Sequence, residues 1–279
     1  MDRIDAIGFI GGGQMAEAMI KGLLKAGLVK ADRIYVGDPS EQRRSVLSDG
    51  YNVCVFETSE AVYQESDIVI LAVKPQIIVP VLEDSQKKAE SRHLIISIVA
   101  GIPLAVLEAN LAGSGCRVIR VMPNTPAIIQ EGASALSPGK RATEEDMDIA
   151  RVIFDAMGKS VVLDESYMDA VTGLSGSGPA YVFTFIEAMI DAGVRTGLPR
   201  DVSEALVEQT VLGSVKLVLE SGKHPAELRA MVTSPGGTTI AGMHVLEKAG
   251  FRGMIMDAVA AGTHRSRELG QAMVGKNKE

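Results

Sequence analysis

The first half of the chain alternates short, uninterrupted aliphatic runs with stretches of helical periodicity. The runs are IDAIGFI (4–10), RIYVG (33–37), YNVCV (51–55), SDIVILAV (66–73), HLIISIVA (93–100) and CRVIRVM (116–122). Helical spacing falls at 14–26, near 41–49 and at 143–157, flanked by two weaker strand candidates, SALS and KSVVLD. Continuous Val/Ile/Leu runs separated by helices predict a parallel sheet buried on both faces, that is, a doubly wound α/β domain.

After Asp164 the pattern changes. Helical periodicity covers 179–196, 201–221, 239–249 and 252–272, punctuated by GLPRD, SGKHP and SPGG. The segment PRDVSEALVEQTVLGSVKLVLE is apolar on most sides at helical spacing, so it needs burial by the rest of the fold or by a second chain. The expected organisation is 1–164 as a dinucleotide-binding domain and 165–279 as an all-helical domain for substrate binding and dimerisation.

Composition narrows the function classes. The chain has 279 residues, 46% hydrophobic and 23% charged, which suits two globular domains. Its net charge of −7 is shared by both parts, and there is no Lys/Arg block. Nucleic-acid and anionic-membrane binding are therefore not expected. The two cysteines, Cys54 and Cys116, match no metal-ligand spacing, and the four histidines form no H-x-x-x-H pair, so no metal site is expected. Scattered thiols, a start without a secretory pattern and no run of membrane-spanning length lead to the expectation of a cytoplasmic protein.

The candidate chemistry begins at GFIGGGQMAEAM. Gly11, Gly13 and Ala16 fit G-x-G-x-x-G/A directly after a strand and at the opening of a helix, the arrangement that lets a pyrophosphate approach backbone N–H groups. Asp38 stands at the end of the second strand, about 20 residues on, where a carboxylate bonds the ribose of NAD. Ser40, Arg43 and Arg44 next to it could serve the phosphate of NADP, so the sequence leaves the cofactor as NADP or NAD. LAVKPQ closes the fourth strand, and Pro75 holds Lys74 extended. RVMPNTPAIIQEG brackets Asn124 between two prolines, and GLSGSGPAYVF carries Ser177 just before the helix opened by Pro179. TSPGGTTIAGMHVLE places two threonines behind two glycines at a helix start, with no charged residue in the turn.

In this order, GFIGGGQMAEAM, AVKPQ, MPNTPA, LSGSGPAY and SPGGTTIAGMHVLE resemble the pyrroline-5-carboxylate reductase family over nearly the whole chain. The last motif is the most specific; the first is shared by many dehydrogenases. The resemblance implies a Rossmann domain followed by an all-helical dimerisation domain. It also implies homodimers that often assemble into larger rings, and reduction of 1-pyrroline-5-carboxylate to L-proline by NADPH or NADH. Carried over by position, the cofactor loop is Ile10, Gly11, Gly12, Gly13, Gln14 and Met15. Ala72, Val73, Lys74, Pro75 and Ala100 line the cofactor, and Asp38 and Ser59 lie near its adenosine. Family members often have a neutral residue in place of Asp38, which puts a strict NADP preference in doubt. Gly237 and Thr238 are expected to hold the substrate carboxylate and Thr239 to meet the imine nitrogen as the catalytic residue; Asn124 and Ser177 are further substrate-side candidates. The reading of Thr238 or Thr239 as a plain helix cap stays open. A β-hydroxyacid dehydrogenase would carry a lysine on the helix after the sheet domain, and GSGPAYVFTFIEAMIDAGV has none; a non-catalytic dinucleotide sensor would not need the Gly-Gly-Thr-Thr turn.

Overall fold

A computed structural model describes residues 4–276. In chain order, β1 (Ile7–Ile10) leads through α1 (Gln14–Lys25) to β2 (Ile34–Gly37), α2 (Glu41–Tyr51), β3 (Cys54–Phe56) and α3 (Glu60–Glu65). There follow β4 (Ile68–Leu71), α4 (Ile78–Lys88), β5 (Leu94–Ser97), α5 (Leu104–Asn110), β6 (Arg117–Met122), β7 (Gly132–Pro138), α6 (Glu144–Asp155) and β8 (Gly158–Val162). The rest is helical: α7 (Met168–Val171), α8 (Gly178–Arg195), α9 (Arg200–Ser221), α10 (Pro225–Met231), α11 (Thr238–Lys248) and α12 (Phe251–Lys276).

The eight strands form one sheet in the order β3-β2-β1-β4-β5-β6-β7-β8. Its pairings are parallel except β6 with β7, which is antiparallel. Strands β1, β2, β4 and β5 are buried at every position, because helices cover both faces. One apolar cluster joins Phe9 of β1, Met19 and Leu23 of α1, and Phe154 of α6; the other joins Val69 and Leu71 of β4 to Ile78 and Leu82 of α4. The β1–β4 adjacency, with β2 on the other side of β1, is the reversal point of strand order at which such sheets bind ligands.

Some boundaries differ from the hydropathy pattern for identifiable reasons. The third strand starts at Cys54, not Tyr51, because α2 continues through Tyr51 and ends on Asn52 in the left-handed conformation (φ 55°). Asn tolerates that cap better than most residues. β7 turns back along β6, which makes the sheet mixed at that edge.

The chain divides into two compact units: residues up to Ser177 together with those from Ala261 onward, and Gly178–Ala260. In the first, Glu165 ties the start of the helical region to the sheet. Its carboxylate accepts from Arg120 Nη1 at 2.9 Å, a nearly buried guanidinium, and from the Leu104 N–H at 2.5 Å. The second unit has a different character. Within it, α8 packs on α9 through the Ser203 hydroxyl, which donates to the Ile190 carbonyl at 2.8 Å. Among its described residues, only Ser203 and Val207 are buried. Phe183, Leu219, Val245 and Met256 are each more than 60% exposed. So little burial cannot offset the chain entropy of ordering these helices. Among the described residues, no helix is long and apolar enough to cross a membrane.

Phe154 is completely buried beneath the sheet. Phe154→Ala is expected to lower the unfolding free energy of the sheet unit by about 3–5 kcal/mol, measured as a shift of the urea midpoint.

Candidate active site

The sheet builds its ligand-facing edge from the glycine turn outward. β1 ends at Ile10, and Gly11 adopts φ +97°, a region L side chains rarely enter. A Cβ there would lie 2.6 Å from the Ala72 carbonyl oxygen, so the chain can cross β4 only as glycine. Gly11 N–H donates to the Gly37 carbonyl at 2.8 Å, and Ala72 N–H to the Ile10 carbonyl at 2.9 Å. Gly13 is the N-cap of α1 and brings no side-chain cap, so the first N–H groups of that helix are presented outward. A Cβ on Gly13 would meet nothing within 4 Å. Ala16, fully buried, lets α1 lie close on the sheet. A bare helix N-terminus facing open space suits a pyrophosphate.

Around this turn the predicted cofactor residues fall on neighbouring loops. Asp38 follows β2, and its carboxylate accepts from the Gly12 N–H at 2.7 Å and the Ser40 N–H at 2.8 Å. It is not the cap of α2. That position belongs to Ser40, whose hydroxyl accepts from the Arg43 N–H. Ala72 and Val73 are half-buried beyond β4, and Lys74 is exposed and extended before Pro75 (ψ 144°). Ser59 donates to Asp84 and accepts from Lys88 Nζ at 2.7 Å. Burial works against ionisation of Asp84, but the bonds from Lys88 and Ser59 outweigh it and hold the carboxyl below its ordinary range. Cys116 is buried, and desolvation pushes its thiol up, which disfavours the thiolate.

Between α7 and α8 the chain widens into a π turn over Thr172–Gly176, a distortion found often at functional sites. Asn124 braces it. The Asn124 amide donates to the Ser175 carbonyl at 3.1 Å and accepts from the Ala133 N–H at 2.8 Å. Both ends of this side chain therefore bond backbone. Ser177 and Thr172 share a cavity of about 490 Å³ with Pro75, Ala100, Gly101 and residues of α12. This brings Pro75, Ala100 and Ser177 together within the sheet unit.

Gly237, Thr238 and Thr239 lie in the other unit, at the start of α11. Gly236 turns the chain at φ +68°, and Gly237 is the N-cap with no side-chain cap. Neither threonine caps the helix. Their hydroxyls make no protein hydrogen bond among the described residues. The turn is thus uncharged: the Gly237 N–H donates to the Ser234 carbonyl at 3.2 Å, and the two threonine hydroxyls stay unengaged. Hydropathy and motif spacing did not mark Glu17 and Tyr51, whose carboxylate–hydroxyl contact joins segments 34 residues apart, nor Thr172, which lines the cavity beside Ser177.

A glycine turn presenting helix N–H groups at the strand-order reversal, followed along the chain by a helical unit with little core of its own, points to a nicotinamide-dinucleotide oxidoreductase with a dimerisation domain. The family described as pyrroline-5-carboxylate reductase dimerisation matches residues 165–269, and the family described as NADP oxidoreductase coenzyme F420-dependent matches residues 6–101. Pyrroline-5-carboxylate reductase of Methanosarcina acetivorans is 49% identical over 95% of this chain and 98% of its own length; that of Arabidopsis thaliana is 48% identical over 95% and 96%. A crystal structure of Plasmodium falciparum pyrroline carboxylate reductase with NADP bound superposes with a TM-score of 0.87 at 36% identity, covering 97% of this chain and 99% of that one. The chain belongs to the pyrroline-5-carboxylate reductase family.

Gly13 offers a clean probe of the cofactor turn, because its side-chain space is open. Gly13→Val is expected to leave the thermal midpoint of the cofactor-free protein within about 2 °C, while weakening NADPH binding at least roughly tenfold, read by quenching or enhancement of nicotinamide fluorescence.

Proposed function

We propose that this chain reduces 1-pyrroline-5-carboxylate to L-proline, with NADPH or NADH bound along the glycine turn. The observation that carries the substrate side is the uncharged, uncapped start of α11 with two unengaged threonine hydroxyls. When bound, the reduced nicotinamide supplies a hydride for the C=N carbon. A protonated cyclic imine is already a good electrophile, so the protein's task is orientation more than acid catalysis. Gly237, as the cap, and the N–H of Thr238 behind it are suited to the substrate carboxylate; the Gly237 N–H now bonds the Ser234 carbonyl at 3.2 Å and would have to exchange it to take part. The Thr239 hydroxyl is suited to the ring nitrogen, which it orients or supplies with a proton. Ser177 lines the cavity it shares with Pro75 and Ala100, and Asn124 acts by holding the π turn that carries Ser175 and leads into Ser177. Ile10 to Met15, Asp38, Ser59, Ala72 to Pro75 and Ala100 form the cofactor side.

The division of labour falls at Asp164, with 1–164 for cofactor and 165–279 for substrate and dimerisation, a reading supported by the dimerisation match beginning at residue 165. The exposed apolar side chains of the second unit support a homodimer at least, in which those helices cover one another across a two-fold, and such dimers can assemble into rings. Two free thiols suit the reducing cytoplasm.

Substrate-dependent loss of reduced-nicotinamide absorbance, with proline as product, tests the reaction; no oxidation with either NADPH or NADH would overturn it. Thr239→Ala is expected to lower kcat roughly tenfold or more, one transition-state hydrogen bond being worth about 1–3 kcal/mol, and unchanged turnover would remove Thr239 from the catalytic role. Sedimentation at micromolar concentration is expected to show dimers or larger species, and a stable monomer would contradict the reading of the helical unit.

A further inference from the structure

Three consecutive glycines, Gly11 to Gly13, make a turn with little stiffness of its own, yet an anion site works best when its donors are already aimed. The structure holds the middle residue from both sides. Gly12 N–H donates to Asp38 Oδ2 at 2.7 Å, and the Gly12 carbonyl accepts from Arg43 Nε at 2.7 Å. Each partner is itself fixed. Arg43 Nη2 donates to Glu17 Oε2 at 2.7 Å, and the other oxygen of Glu17 accepts from the Tyr51 hydroxyl at 3.1 Å. Asp38 Oδ1 accepts from the Ser40 N–H at 2.8 Å, and the Asp38 carbonyl accepts from Arg44 Nη1 at 2.8 Å. The Glu17 and Arg43 side chains are each only 24% exposed, so solvent competes weakly for them. Burial and the Glu17 carboxylate push the Tyr51 hydroxyl above its ordinary range, which keeps it a donor.

The geometry has a direct consequence. In a planar trans peptide the C=O and N–H point in opposite directions. Drawing the Gly12 carbonyl toward Arg43 on α2 therefore turns the Gly13 N–H away from α2. Binding the Gly12 N–H to Asp38 fixes the preceding peptide in the same way. Both oxygens of Asp38 already accept from backbone N–H groups, so its carboxylate is oriented by the turn itself.

We propose that Asp38 and Arg43, oriented by Glu17 and Tyr51, are positioning residues that preset the two peptides flanking Gly12 for the pyrophosphate, and that they serve NADPH and NADH alike rather than choosing between them. This rests on the cofactor reading above. The choice between the two cofactors then falls to other groups at the end of β2, with the remaining donors of Arg44 and the Ser40 hydroxyl placed for it.

The test is calorimetric titration of the purified protein with NADP+ and separately with NAD+, alongside amide hydrogen exchange of the 11–15 segment in the cofactor-free protein. The variants are Asp38→Asn, Arg43→Gln, Glu17→Gln and the milder Tyr51→Phe, which removes a single hydroxyl; cofactor-free thermal midpoints identify any variant that fails to fold. The expected result is that Asp38→Asn and Arg43→Gln weaken both dinucleotides by the same factor, roughly fivefold or more. They also speed exchange of the loop, and Glu17→Gln and Tyr51→Phe act in the same direction to a smaller extent. Loss of NAD+ binding alone in Asp38→Asn, with NADP+ binding kept or improved, would overturn the proposal and make Asp38 the ribose reader. Unchanged loop exchange in folded Asp38→Asn and Arg43→Gln would overturn it as well. Failure of the underlying cofactor reading looks different: the unsubstituted protein would bind neither dinucleotide.

Discussion

Everything at the cofactor edge depends on a close crossing: Gly11 passes over Ala72 at a distance that leaves no room for a Cβ. That contact requires β1 and β4 to be neighbours, and it requires a positive φ that turns the chain straight into α1. Once the turn is made, the first N–H groups of α1 have nowhere to bond within the helix and face outward. The buried Ala16 brings the helix close enough to the sheet for those groups to sit over the strand-order reversal. A single glycine conformation thus links the strand order to the direction in which an anion is met.

The same geometry recurs in the helical unit. α11 also begins on a glycine cap, after a left-handed glycine, and also lacks a side chain that would satisfy its first donors. There the two threonine hydroxyls add neutral polar groups, of which Thr239 is the one proposed for the ring nitrogen. A carboxylated imine needs an anion holder and a weak polar partner, and fixed charges would add a desolvation cost without a matching gain. The poor burial of α8 to α11 within one chain follows the same logic of incompleteness, because apolar helices of this kind gain stability only when a partner covers them.

Much of this was legible in the sequence. Uninterrupted Val/Ile/Leu runs located five of the strands within a few residues, since strands buried on both faces leave no polar alternation to misread. The long helices from Gly178 to Lys276 announced themselves by periodicity and by Pro and Gly punctuation. Other features had no local signal. Hydropathy does not encode pairing direction, so the antiparallel return of β7 along β6 was invisible. Tyr51 looked like the start of a strand because β propensity favours it, but it is the last residue of α2, which the left-handed Asn52 then ends. The glycine and threonine motifs marked themselves as candidates by composition, whereas the engagement of Asp38 with Gly12, and of Asn124 with Ser175 and Ala133, arises from tertiary contacts between distant segments. A carboxylate at the end of β2 reads as a ribose ligand from spacing alone; only its neighbours reveal that it already holds a backbone turn.

The measurement that bears most directly on the central claim follows the hydride itself. The purified protein is incubated with 1-pyrroline-5-carboxylate and nicotinamide dinucleotide deuterated at C4 in the transferred position, and the product is analysed by NMR. The mechanism predicts proline carrying one deuterium on the ring carbon that was the C=N carbon, and none on the carbon bearing the carboxylate. Proline without the label, or label at the carboxylate-bearing carbon, would contradict it.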